Sequence, residues 1–192
     1  MVPTKLVHLM SGGLDSTVML YDLHRQGFII HCLLFDYGQK AVKELEYAER
    51  HCNRLGVAYT RSTLPTLRGS ELTNGDGGVV VPNRNAILLS VAVSVAVAAD
   101  AERVTFAANA DDEPEFPDCR QAFLVAMNKS VEAAGYKVEI CAPYLEKSKR
   151  AIVTMSKDLA VPIADTWSCY EAGQEPCGEC MACEKRSAAM QK

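Results

Sequence analysis

The chain has 192 residues, enough for one domain with a sizeable core and a small appendage, but too few for a second full domain. Its 20 Lys and Arg are scattered among 24 Asp and Glu, a formal net charge of −4, which argues against a broad basic face and against nucleic acid as a partner. The longest apolar stretch, Ala86 to Ala99, is interrupted by Ser90 and Ser94 and falls short of the roughly 20 residues a membrane helix needs. It predicts a buried core helix and no membrane span. The first residues lack the charged, apolar and small-residue order of a signal peptide, which predicts a cytoplasmic protein with reduced thiols.

In chain order, Leu6 to Met10 is an apolar run of strand length, and Val18 to Gln26 repeats apolar residues at helical spacing. Between them lies Ser11-Gly12-Gly13-Leu14-Asp15-Ser16-Thr17. Phe28 to Phe35 reads as a strand buried on both faces, closed by Asp36-Tyr37-Gly38-Gln39. Residues 40–55 predict an amphipathic helix with Val42, Leu45, Ala48, Cys52 and Leu55 on one face and Gly56 as its C-cap. Val57 to Arg61 is a third strand. Thr63 to Asn83 then loses periodicity and gathers Pro65, Gly69, Gly75, Gly77, Gly78 and Pro82; at about twenty residues it predicts a mobile active-site flap. A helix from Arg84, a strand at Arg103 to Ala108 and a polar loop at Asn109 to Pro117 follow. The last elements are a helix from Asp118 to Ala134, a strand at Lys137 to Cys141 and a helix from Ser148 to Leu159.

Five alternations of strand and helix predict an α/β fold, a doubly wound five-stranded parallel sheet with right-handed crossovers. Ligands in such sheets sit at the carboxyl ends of the strands. SGGLDST, DYGQ, residues 109–120 and the segment before Ser148 all fall at strand-to-helix loops there and are expected to converge on one cleft.

Two glycines at the first of these loops let the backbone approach a ligand, and the free NH groups of a first helical turn favour an anion. The spacing Gly-x-x-x-x-Gly-Lys-Ser/Thr of a P-loop is absent. SGGLDST instead resembles the PP-loop of the ATP pyrophosphatases, which hold the pyrophosphate leaving group while a substrate oxygen attacks the α-phosphate. Taken alone, the residues also admit an ordinary turn with Asp15 complementing the helix dipole.

Four of the eight cysteines crowd into the last 24 residues as Cys169-x7-Cys177-x2-Cys180-x2-Cys183. Four thiolates complete a tetrahedral Zn²⁺ with no open position, which predicts a structural site that contributes on the order of 10 kcal/mol to ordering a short tail. Lys185 and Arg186 are expected to offset its residual negative charge. An iron-sulfur cluster is the main competitor; a redox dithiol fits less well because four thiols converge. His8, His24, His31 and His51 show no ligand-like pairing. The division expected is a PP-loop domain at 1–163 and a zinc-binding segment at 164–192.

Together, SGGLDST, FDYGQ (35–39), VPNRN (81–85), FPDCR (116–120) and TWSCY-x6-CGECMAC (166–183) resemble the QueC family, the 7-cyano-7-deazaguanine synthases of queuosine biosynthesis, across nearly the whole chain. The resemblance implies an adenine nucleotide alpha hydrolase-like fold and an ATP-dependent carbon-nitrogen ligase. In that reaction a 7-carboxy-7-deazaguanine carboxylate attacks the ATP α-phosphate, pyrophosphate leaves, and ammonia converts the acyl adenylate to an amide. Adenylation of the amide oxygen and loss of AMP then give the nitrile. No covalent nucleophile is required; positioning and charge stabilisation suffice.

By the same resemblance, Ser11, Gly12, Gly13, Leu14, Ser16 and Thr17 bind ATP, Asp15 helps hold Mg²⁺, and Asp36, Tyr37 and Gln39 lie beside the nucleotide. Lys149, after the good N-cap Ser148, faces the departing pyrophosphate; as a bare residue it equally reads as a solvated lysine. Arg84 is expected to add a bidentate phosphate or carboxylate contact and to be catalytic with Asp15 and Lys149, and Asn85 to bind substrate beside it, although Arg84 also reads as a surface arginine at a helix start. Asp112, Phe116, Asp118 and Arg120 are expected to bind substrate, with Phe116 stacking on the base, Asp118 taking the guanine-like NH edge and Arg120 the carboxylate. Asp118 with Gln121 also reads as a capping box.

Two features depart from the family. Asn83 stands where Gly is usual, and Glu113, Pro114 and Glu115 change the loop expected to touch the base. A related adenylation that joins a deazaguanine carboxylate to an amine on a protein, as in QueC-like antiviral systems, is a second reading. A tRNA-thiolating enzyme and a non-catalytic nucleotide-binding module are two more, the former disfavoured by the charge balance. The resemblance also implies free ammonia as the nitrogen source and a homodimer.

Overall fold

A computed structural model describes residues 3–73 and 75–191. Five parallel strands, β1 (Lys5–Leu9), β2 (Ile29–Asp36), β3 (Ala58–Thr63), β4 (Arg103–Thr105) and β5 (Glu139–Cys141), lie in the order β3-β2-β1-β4-β5. Side chains alternate across the sheet with period two, and the two layers follow from that alternation. Leu6, Ile30, Cys32 and Leu34 face α1 (Leu14–Arg25), α2 (Glu44–Leu55) and α5 (Lys149–Asp158). Val7, Leu33, Phe35 and Val104 face α3 (Arg84–Ala98) and α4 (Gln121–Ala133).

The chain runs outward from β1 to β2 and β3, then returns to place β4 on the other side of β1. That reversal opens a crevice beyond the carboxyl ends of β1 and β4. The SGGLDST loop leaves β1 there, and residues 106–120 leave β4.

Several boundaries differ from the expected ones. Helix α1 begins at Leu14, inside the glycine motif. Residues 40–43 are turns, and α2 starts at Glu44; its C-cap Gly56 is left-handed at φ 66°, as expected of a glycine stop. Strands β4 and β5 are three residues each, shorter than their apolar runs. Pro117 opens a short 3₁₀ turn, Pro117–Cys119, so α4 starts only at Gln121 with Arg120 as N-cap. The capping box of Asp118 with Gln121 therefore does not form.

The apolar helix α3 is not wholly buried. Leu88, Leu89, Ala92, Val93 and Ala96 pack on the sheet, while Ser90, Ser94, Val97 and Ala98 face outward. As an outer layer it covers the sheet with one face only, and the serines mark its solvent side. Its N-cap Asn83 is left-handed at φ 57°, a conformation that glycine takes freely and that Asn tolerates better than most other residues. Among the described residues no helix is long and apolar enough to cross a membrane.

The described residues between β3 and α3 are packed and internally bonded. Ser70 is buried; its Oγ donates to the Gly78 carbonyl at 2.9 Å and accepts from Leu72 N at 3.1 Å, while Leu64, Leu67 and Leu72 join the core. At the other end of the chain, α6 (Met181–Met190) packs on α5, Trp167 N donates to the Gly12 carbonyl at 2.9 Å, and Arg186 bonds Ile163 O, Thr166 and Ser168. The expected boundary at residue 163 falls in the short Ile163–Asp165 turn, and the segment beyond it is bonded back onto the glycine loop.

Strand β5 is an edge, yet its outward backbone groups are occupied. Asn128 of α4 accepts from Ile140 N at 2.8 Å and donates to Ile140 O at 2.9 Å, imitating a neighbouring strand. Asn128→Ala is expected to cost about 1–2 kcal/mol and to promote self-association through the exposed edge. Urea denaturation and sedimentation velocity check this; an unchanged midpoint with an unchanged sedimentation profile would show that water seals the edge equally well.

Candidate active site and metal centre

The glycine loop is shaped by its surroundings. Gly12 has φ 87°, and a Cβ there would run into the Glu44 carbonyl at the start of α2. Ser16 Oγ donates to Gly13 O at 3.3 Å and accepts from Ser11 N at 3.3 Å, and the two hydroxyls lie 3.0 Å apart. Beneath them, fully buried His8 meets Ser16 O through Nε2 at 3.0 Å and the Thr105 hydroxyl through Nδ1 at 2.9 Å. A carbonyl only accepts, so Nε2 carries the proton. Burial lowers the His8 pKa to about 4, and the imidazole is a neutral prop for the loop.

Asp15 and Lys149 form the charged centre. Lys149 Nζ lies 3.0 Å from Asp15 Oδ2, with both side chains largely buried. Burial acts to lower the Lys149 pKa, but Asp15, Asp112 and Asp111 outweigh it and hold the ammonium above its ordinary value. Ser148 caps α5, accepting from Ala151 N at 3.2 Å, and Asp111 accepts from Lys149 N at 2.8 Å. These caps fix the lysine at the helix start, and its burial sets aside the solvated-lysine reading. Asp15 Oδ1 is buried with no hydrogen-bond partner among the described residues, an oxygen suited to a hard cation.

Across a cavity of about 280 Å³, the wall is formed by Tyr37, Glu44, Arg84, Asn85, Phe116 and Cys119, over an apolar floor that includes Leu33, Phe35 and Phe106. Arg84 Nε donates to Asn85 Oδ1 at 3.3 Å, and the guanidinium lies beside Tyr37. It enters none of the described ion pairs, so its charge is available to an anion. Burial pushes the Cys119 thiol up to about 12, which makes it a poor nucleophile.

Of the residues expected at the site, Ser11, Gly13, Leu14, Asp15, Ser16, Tyr37, Arg84, Asn85, Asp112, Phe116 and Lys149 line this cavity. Gly12 and Thr17 lie behind it, the first against α2 and the second fully buried. Asp36 is engaged by Gly38 N and Arg61, and Gln39 bonds Tyr37 N, Phe35 O and Glu44. Asp118 and Arg120 are also off the cavity wall. Asp118 sits in the 3₁₀ turn at Pro117 with Oδ1 buried and without a hydrogen-bond partner among the described residues, close enough to Arg84 for its charge to act on the guanidinium, and the Arg120 guanidinium holds the carbonyls of Glu113 and Pro114. Among the wall residues that the sequence reading did not assign to the site are Glu44, Cys119, Trp167, Ser168, Tyr170 and Ala182. Glu44 precedes buried Ala48 by one helical turn, a placement that marks an inward acid. Trp167 and Tyr170 flank Cys169 and were visible only as companions of the cysteines.

Cys169, Cys177, Cys180 and Cys183 bring their Sγ atoms within 4.8 Å of one another. Zn–S bonds of about 2.3 Å place tetrahedral sulfurs about 3.8 Å apart, so the cluster matches one mononuclear ion. Backbone amides of Glu171 and Cys177 donate to Cys169 Sγ, each at 3.3 Å, and the amides of Glu179 and Cys180 hold the Cys177 thiol down at about 7. At Cys177 these donors favour the thiolate, the ligand form a metal needs, while burial pushes the Cys169 and Cys183 thiols up. Lys185 does not serve the thiolates as expected: its ammonium takes Asp111 O at 2.6 Å and Glu115 at 2.9 Å, with Asp112 at 3.6 Å. It ties α6 to the altered 110–116 loop. Arg186 does lie close enough to be drawn by Cys183.

The profile of the family described as "Queuosine biosynthesis protein QueC" matches residues 5–192. The chain belongs to the QueC family. Among its QueC relatives, the 7-cyano-7-deazaguanine synthase of Pseudoalteromonas atlantica is 40% identical over 205 residues, covering 98% of this chain and 94% of that one. The synthases of Caldicellulosiruptor bescii and Methanoregula boonei are 38% and 37% identical, covering 98% of this chain and 93% and 94% of theirs. The QueC fold is shared with the U34-tRNA thiolase NcsA of Methanococcus maripaludis, with TM-score 0.62 at 16% identity over 97% of this chain and 63% of that one. It is shared too with the NMN synthetase of Francisella tularensis, with TM-score 0.54 at 16% identity over 89% of this chain and 68% of the other.

Proposed function

We propose that this QueC protein is an ATP-dependent 7-cyano-7-deazaguanine synthase that converts 7-carboxy-7-deazaguanine and ammonia to the nitrile, releasing AMP and pyrophosphate. The observation that carries the proposal is the pairing of Lys149 and Asp15 within the glycine loop's cavity, opposite Arg84, which enters none of the described ion pairs. Free amides at the start of α1 hold the phosphates, and Lys149 compensates charge on the departing pyrophosphate. Arg84, with Asn85, takes the substrate carboxylate and aims its oxygen at the α-phosphate, while Phe116 offers a ring for stacking on the base. Asp112, fixed by Asn109 at 2.6 Å, is the remaining polar group of that loop on the wall.

Mg²⁺ bound with ATP, held by Asp15 and phosphate oxygens, supplies further neutralisation of the phosphate charge. The four cysteines hold a structural Zn²⁺. Mass spectrometry of the protein incubated with Mg·ATP, ammonium and 7-carboxy-7-deazaguanine is expected to give the nitrile with AMP and pyrophosphate. Substrate-dependent AMP without any small-molecule amide or nitrile would reject the synthase reading and point to a different amine as acceptor.

A further inference from the structure

Glu44 lies on the cavity wall, and the scheme above gives it no task. It is the first residue of α2, pressed against Gly12 through its backbone. Its Oε1 accepts from Gln39 Nε2 at 3.2 Å, and Gln39 is itself clamped by Tyr37 N and Phe35 O, each at 2.9 Å. The groups facing Glu44 are Gln39 and Tyr37 from the loop after β2 and Arg84 from α3; Gly12 of the glycine loop lies against its backbone. Glu44 enters none of the described ion pairs. The other two acids on the wall are engaged: Asp15 by Lys149, and Asp112 by Asn109 and Lys185.

We propose that Glu44 is the general base of the amide-forming step, accepting the proton that the ammonia nitrogen sheds as it attacks the acyl adenylate; this rests on the synthase reading. The nitrogen lone pair forms the C–N bond, the bond from the carbonyl carbon to the phosphate oxygen breaks, and AMP leaves with that electron pair. The proton passes to the Glu44 carboxylate and on to solvent. Burial raises the Glu44 pKa to about 7, against the pull of Gln39 and Arg84, which matches a base to neutral pH. Deprotonated Glu44 is the working form, so the step gains rate as pH rises through that value.

Two assays of Glu44→Gln and Glu44→Asp separate this role from the rest. Pyrophosphate–ATP exchange dependent on 7-carboxy-7-deazaguanine, without ammonium, reports adenylation and an intact fold. Amide formation, expressed per neutral ammonia and followed from pH 6 to 9, reports the proposed step. In Glu44→Gln exchange is expected to persist while amide formation falls about 100-fold or more and loses its acid limb near pH 7; Glu44→Asp keeps a titrating limb at reduced rate. A wild-type amide rate and acid limb in Glu44→Gln, or loss of exchange itself, would overturn the role. Absence of exchange in the wild type would instead overturn the synthase reading.

Discussion

Lys149→Met is expected to lower substrate-dependent pyrophosphate exchange about 100- to 1,000-fold, because it removes the fixed positive charge nearest the glycine loop from a site where water cannot replace it. The side chain is held for that position: α5 begins at Lys149, Ser148 and Asp111 cap it, and Nζ reaches Asp15 Oδ2 at 3.0 Å. The same substitution strands a buried carboxylate, which costs about 3–5 kcal/mol and threatens the fold independently of chemistry. Lys149→Met combined with Asp15→Asn removes that unpaired charge, so the double variant is expected to regain most of the melting temperature and none of the exchange. Exchange within a few-fold of wild type in a folded Lys149→Met protein would take the lysine out of the reaction.

Removing the Zn²⁺ proposed for the four cysteines is expected to disorder the carboxyl end of the chain and to abolish activity. Chelation, or Cys169→Ser, forfeits binding free energy on the order of 10 kcal/mol, and the segment that depends on it is part of the cavity wall. Trp167, Ser168, Tyr170 and Ala182 all line the cavity, and Lys185 of the same segment ties down the loop that bears Asp112 and Phe116. Trp167 is the chain's one tryptophan, 3% exposed, packed with Cys169 and Cys183, stacked on Tyr47 and overlaid by Lys43. Its fluorescence should therefore shift to the red as the metal leaves, in parallel with loss of exchange activity and a lowered melting temperature. Elemental analysis is expected to find about one zinc per chain. Retained activity and unchanged Trp167 emission in metal-free protein would separate the cluster from the cavity.

What could be read from the chain by itself was the local and periodic part. Continuous apolar runs at Leu6 and Phe28 marked strands buried on both faces, and their alternation with amphipathic segments implied the parallel sheet. The glycine motif and the cysteine spacing announced an anion loop and a metal cluster, because both depend on residues close together in sequence. Lys149 was found because a cap residue precedes it and because the segment resembles the family's. Element ends were less legible: a proline at position 117 traded the first turn of α4 for a 3₁₀ turn, and β4 and β5 stop short of their apolar runs.

Only the tertiary structure decided which polar groups share the cavity. Arg120 carries the right chemistry, but its guanidinium is taken by the carbonyls of Glu113 and Pro114, while Glu44 and Trp167 meet the site from positions 123 residues apart in the chain. Lys185 stands two residues from a cysteine ligand, yet its partners are Asp111 and Glu115, more than 60 residues away. Helix α3 is apolar enough to be buried on all sides, and its place in an outer layer leaves one side exposed. The physical reason is common to all four: propensity and spacing act within a few residues, whereas burial, ion pairing and the pKa shifts that follow depend on which distant segments the sheet brings together.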